Sequence, residues 1–174
     1  MSKVREFLEG MAPMMANANR ATSEWKYKSF HELVLAEGVE FAPPSRPLPE
    51  SIPAGVIKEC FSNCWNLIAS YEHESLTYVE GYALGENGIM PVMHAWLVTP
   101  EGEVIDPTWC GGGNPEAGVE YIGLPFKKTF AIETVLEAEH YGVIDNYMSK
   151  ENKWPLLRGI HPVEWKEEVA HGVS

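Results

Sequence analysis

The chain has 174 residues, 45% hydrophobic and 22% charged; that balance excludes a disordered polymer, and no apolar run reaches the length of a membrane span. Its 25 acidic and 13 basic side chains leave a formal net charge of -12, which opposes binding to a phosphate backbone. The acids are spread out, with a modest cluster at Glu133, Glu137 and Glu139, unlike the dense stripes of a nucleic-acid mimic.

The length suits one domain, 1–174: a helical N-terminal region with a Pro-rich connector (1–55), a core (56–126) and a helical C-terminal region (127–174). Residues 3 to 38 read as helical. Val4, Phe7, Leu8 and Met11 sit at helical spacing up to Pro13, which is expected to end that stretch. Glu6, Glu9 and Pro13 also interrupt any signal-peptide core. A second helix is expected from Ser23 to Ala36, with Ser23 as its cap. Five prolines between 43 and 53 then impose an extended connector.

Val56 to Tyr71 reads as the central buried helix, with Phe61, Cys64, Trp65 and Ile68 on one face. From Leu76 the pattern changes to strands. Leu76–Leu84 is followed by a turn at Gly85–Gly88, then Val92–Val98, a hairpin turn near residues 100–103, and Val104–Asp106. Gly111–Gly113 reads as a mobile loop and a candidate lid, Glu120–Phe126 as a further strand, Thr129–His140 as a helix, and 162–169 as a last helical piece. Helices, a Cys-bearing helix and then an antiparallel meander describe an α+β protein with the central helix packed on one sheet face.

Three segments carry the chemistry: Cys60-Phe61-Ser62-Asn63-Cys64, His94-Ala95-Trp96 and Val104-Ile105-Asp106-Pro107-Thr108. They supply a thiol, an imidazole that can take its proton, and a carboxylate that can orient the imidazole. Cys60 lies near the start of the helix, where unpaired N–H groups and the helix dipole favour a thiolate and can stabilise an oxyanion. Cys64 lies one turn further on, in the apolar stripe, and is expected to be a packing residue. In the hairpin, position 96 should face 106 or 107, which sets His94 and Asp106 on adjacent strands with His94 Nδ1–H available to the carboxylate. Three cysteines form an odd set with no secretory context, so reduced thiols in the cytoplasm are expected.

This order of Cys, His and Asp resembles that of papain-like and transglutaminase-like cysteine enzymes. The wording of Cys60–Asn63, Tyr78–Ala83, His94–Trp96, Val104–Thr108 and Tyr121–Phe126 is similar to that of small phage and bacterial proteins of this kind. The resemblance spans residues 56–126 and implies Cys60 as nucleophile, His94 as general base and Asp106 as orienter. It also implies a hydrolase or acyl-transferase acting on an amide or ester of a protein or small molecule, without cofactor or metal, and in the host cytoplasm if phage-encoded. One feature departs from the pattern: papain-like proteases place a glutamine shortly before the nucleophile for the oxyanion hole, and this chain contains no glutamine. The hole then comes from backbone N–H groups, from Asn63 or from Asn66, or is absent, with Trp96, Tyr82 and Trp109 as candidate pocket walls.

Two other readings stay open. Cys60, Cys64, His94 and Asp106 are potential zinc ligands, although cysteines four apart on a helix are an unusual start for such a site. A non-catalytic binding protein would use the same aromatic surroundings to capture a protein or small molecule. Neither a nucleic-acid nor a membrane partner is expected.

Overall fold

A computed structural model describes residues 2–18, 24–44, 47–110, 117–145 and 153–170. The elements are α1 (Lys3–Ala18), α2 (Phe30–Glu37), β1 (Val39–Phe41), α3 (Cys60–Ala69), β2 (Thr77–Gly85), β3 (Val92–Val98), β4 (Val104–Ile105), β5 (Gly118–Phe126), α4 (Lys128–Ala138), α5 (Pro155–Arg158) and α6 (Pro162–Trp165). The five strands form one curled antiparallel sheet in the order β1-β5-β2-β3-β4. The chain is therefore α+β, with the cysteine-bearing helix packed against β2 and β3. Among the described residues no helix is long and apolar enough to cross a membrane.

Alternation along the strands divides the sheet into two faces. Tyr78, Tyr82, Leu84, Ala95, Leu97, Ile122, Leu124 and Phe126 join the helices in the larger core, with Cys60, Cys64, Leu67 and Ile68 of α3. Val79, Ala83, Trp96, Val98, Val104 and Tyr121 form a second core with Phe41 on the other face. His94 pairs with Gly81 and shares that second face with Trp96.

Several boundaries differ from expectation, each for a local reason. Pro13 lies inside α1, which continues to Ala18. Pro13 and Glu9 are exposed, so water can satisfy the carbonyl that the missing N–H leaves free. The second helix starts at Phe30, because Ser29 is its N-cap and accepts from the Glu32 N–H at 3.1 Å, a cap worth about 1 kcal/mol. The expected cap Ser23 lies outside the described residues.

The central helix begins at Cys60, four residues later than expected. Lys58 has φ 69°, and Glu59 has φ -111° and ψ 40°, so neither continues a helix backwards. The buried stripe of α3 is Cys60, Cys64, Leu67 and Ile68; Phe61 and Trp65 are half-buried. At the far end, the expected 162–169 helix is a single turn, α6.

Candidate active site

Asp106 lies just beyond β4, and its carboxylate is saturated with donors. Oδ1 accepts the backbone N–H groups of Thr108 at 3.0 Å and Trp109 at 2.9 Å. This turn exists because an Asp followed by Pro107 can fold its side chain back onto the next N–H groups. Oδ2 is 2.7 Å from His94 Nε2 and accepts the Tyr121 hydroxyl at 3.0 Å. The register Leu97 opposite Ile105 and Val98 opposite Val104 extends to Trp96 opposite Asp106, as the hairpin count predicts. His94 reaches the carboxylate from two residues along the same face.

The nitrogen that meets Asp106 is Nε2, not the expected Nδ1. That leaves Nδ1 outside the contact with the carboxylate. The Cys60 thiol is close enough to act on the same imidazole. Burial pushes the His94 imidazolium down. The Asp106 charge and hydrogen bond, with the Cys60 thiol, outweigh that and raise it to about 9. Burial likewise pushes the Asp106 carboxyl up, but His94, the Trp109 N–H and the Tyr121 hydroxyl bring it below the usual range. Trp109 stacks on His94 with centroids 4.0 Å apart and planes at 14°.

Cys60 is the first residue of α3, and Glu59 makes no side-chain cap bond there. The first-turn N–H groups thus face this end of the helix without a side-chain cap. The thiol itself is 7% exposed and His94 2%. Cavities of about 390 and 430 Å³ run along α3; Gly55, Asn63, Leu67, His73 and Pro107 are among the lining of one, and Glu59, Phe61, Ser62 and Tyr141 of the other.

The expected pocket residues separate. Trp109 covers the histidine. Trp96 is fully buried, its Nε1 without a partner, and belongs to the second core rather than to an open pocket. Tyr82 faces the opposite side of the sheet from His94. Its hydroxyl lies 3.2 Å from His31 Nε2, and it packs on Phe7, so its polar end is taken up by α1 and α2 rather than by His94.

Asn63 lines the 390 Å³ cavity, but its amide is engaged. Oδ1 accepts the Val56 N–H at 3.0 Å, and Nδ2 donates to the Val56 carbonyl at 2.8 Å and to Thr108 Oγ1 at 2.9 Å. Asn66 is exposed beside the same cavity. The candidate lid Gly111–Gly113 lies outside the described residues.

Cys64 donates to the Ala95 carbonyl at 3.4 Å and is fully buried. Burial and the nearby Asp106 charge push its thiol well up, which fits a neutral packing thiol. Among the described residues no three His, Cys, Asp or Glu side chains are grouped to hold a metal.

Two buried polar groups escaped the sequence reading. Glu80 is wholly buried and accepts from Tyr78 Oη at 2.6 Å, Val143 N–H at 2.6 Å and Ile144 N–H at 2.9 Å. An acid inside an otherwise apolar strand was its only signal. Burial pushes its carboxyl up despite these donors. Tyr121, which the sequence marked only as the start of the Tyr121–Phe126 segment, is a donor to Asp106. No protein-family model, curated protein or solved structure matches the chain, so the functional reading rests on the site itself.

Proposed function

We propose that the chain is a cysteine-dependent hydrolase or acyl-transferase of the papain-like or transglutaminase-like kind, acting on an amide or ester of a protein or small molecule. The observation that carries the reading is a single imidazole held 2.7 Å from a buried carboxylate and near the thiol that begins a helix. Cys60 passes its proton to His94 as Sγ attacks the carbonyl carbon, and the oxyanion faces the first-turn N–H groups of α3. His94 gives its proton to the departing amine or alcohol as the C–N or C–O bond breaks, leaving a thioester. Water or an amine then attacks the thioester, its proton passes to His94, and the Cys60 thiolate leaves. Asp106 holds the ring throughout.

A second reading, a binding protein that retains this constellation, draws support from the burial of Cys60 and the Trp109 cover over His94. Mass spectrometry of the intact protein treated with an activated acyl ester separates the two. The expected result is one acyl adduct on wild type, lost in Cys60→Ala and released by water or an added amine. Equal labelling of wild type and Cys60→Ala, or an adduct traced to Cys64 or Cys110, removes the assignment. An inert Cys60 in a protein that still captures a ligand favours the binding reading.

A further inference from the structure

The helix that carries Cys60 and the turn that carries Asp106 are joined by one short polar relay. Asn63 follows Cys60 by three residues on α3, so the two ride on the same rigid turn of helix. Its Nδ2 donates to Thr108 Oγ1 at 2.9 Å; the Thr108 N–H donates to Asp106 Oδ1 at 3.0 Å; Asp106 Oδ2 meets His94 at 2.7 Å. The same amide clasps both backbone groups of Val56, and the Gly55 N–H donates to the Pro107 carbonyl at 2.8 Å. Gly55 is needed for this closeness, since a Cβ there would lie 2.4 Å from Asn63 Nδ2. Both amide hydrogens and the amide oxygen of Asn63 are therefore committed, which argues against an oxyanion donor and for a clamp.

We propose that Asn63 is a positioning residue: acting through Thr108, it fixes the Cys60 helix against the Asp106 turn and so sets the approach of the thiol to His94. The proposal rests on the reading of Cys60, His94 and Asp106 as the reacting set. It goes beyond that reading in assigning the geometry of the set to a residue that touches none of the reacting atoms. An oxyanion donor at the same position predicts the opposite response to Thr108: cutting the Thr108 link frees an amide hydrogen, and reactivity is kept or raised. A clamp loses reactivity when that link is cut.

The test uses Thr108→Val, which removes the hydroxyl but keeps the branched shape, Thr108→Ser, which restores it, and Asn63→Ala, which cuts the relay from the other side. Thermal unfolding confirms that each is folded. Two quantities are read: the pH profile of Cys60 alkylation by iodoacetamide, and the His94 ring titration by NMR. Thr108→Val and Asn63→Ala are expected to slow Cys60 alkylation about tenfold to a hundredfold, the scale of an ångström of misplacement. Both should lower the His94 midpoint from about 9, and Thr108→Ser should return both quantities. Wild-type profiles in both variants, or a Thr108→Ser protein as slow as Thr108→Val, overturn the clamp. Faster alkylation in Thr108→Val returns Asn63 to the oxyanion role. If wild-type Cys60 does not react at all, the catalytic reading falls, and the ring titration decides the clamp alone: a shifted midpoint supports it and an unshifted one removes it.

Discussion

Asp106 receives four donors on two oxygens, from the Thr108 and Trp109 N–H groups and the His94 and Tyr121 side chains, and only the last two can be removed by substitution. Tyr121→Phe deletes one donor while keeping the ring, which packs against Trp96 with centroids 5.1 Å apart. Hydrogen bonds to buried charges are worth about 1.5 to 3 kcal/mol, so urea unfolding at pH 7 should show a loss of that order. The Asp106 carboxyl should titrate at a higher pH than in wild type, because the hydroxyl helps to hold it down. Unchanged stability would mean that the hydroxyl contributes nothing to the carboxylate. This donor was not readable in the sequence, since Tyr121 stands 15 residues beyond Asp106 on β5, three places from β4 in the sheet. His94 and Asp106 were readable because a hairpin count and period-two alternation fix which strand positions approach each other. Nothing in a sequence says which ring nitrogen faces which partner, and there the expectation failed. Glu80 was unreadable for a similar reason, as its backbone donors lie 63 and 64 residues later.

Among the elements, Val92–Val98 matches β3 residue for residue, whereas β1 (Val39–Phe41), at the seam between the helical stretch and the Pro-rich connector, was not expected. Helix ends were read less well. The periodicity of α3 runs back to Val56, but the left-handed Lys58 and the Asn63 clasp on the Val56 backbone stop the helix at Cys60. Those are tertiary effects that override a local pattern. The glycines of β2 and β5 make a similar point. Gly81 and Gly123 face each other across the sheet, and a Cβ on Gly123 would meet Trp96 Cη2 at 2.5 Å and the Glu80 carbonyl at 2.7 Å. The indole thus lies flat over a strand that has no side chain there, next to His94. Gly123→Ala forces either the indole or the backbone to shift, an overpacking that costs about 1 to 3 kcal/mol. Chemical denaturation should show that loss, together with a changed near-ultraviolet dichroism from Trp96. A stable variant with an unaltered aromatic signal would show that the space is larger than described.

For the molecule as a whole, two buried histidines act on stability in opposite directions. His94 has its midpoint raised from 6.5 to about 9. The stability it contributes is fully present below pH 6.5 and is lost as the pH rises through about 9. The full contribution is about 3 kcal/mol. His31 is held between Phe7 and Tyr82 with Nδ1 unpartnered, and burial lowers its midpoint. Its contribution is present above pH 6.5 and is lost as the pH falls below that value and the ring is forced to charge among apolar neighbours. These two histidines therefore place the stability maximum near pH 6.5, with Asp106 adding a further loss at more acid pH as its depressed carboxyl is protonated. Urea unfolding at fixed temperature from pH 5 to 10 measures the curve. Asp106→Asn should flatten the alkaline limb, since the imidazole loses the charge that raises it. His31→Leu should flatten the limb just below pH 6.5 and leave the alkaline one in place. The alkaline limb reports on the site and the acid limb on the packing of α1 and α2 over the sheet. A wild-type curve that is level between pH 6.5 and 9 is incompatible with an imidazolium held by Asp106, and with it the proton that His94 needs for the leaving group at neutral pH.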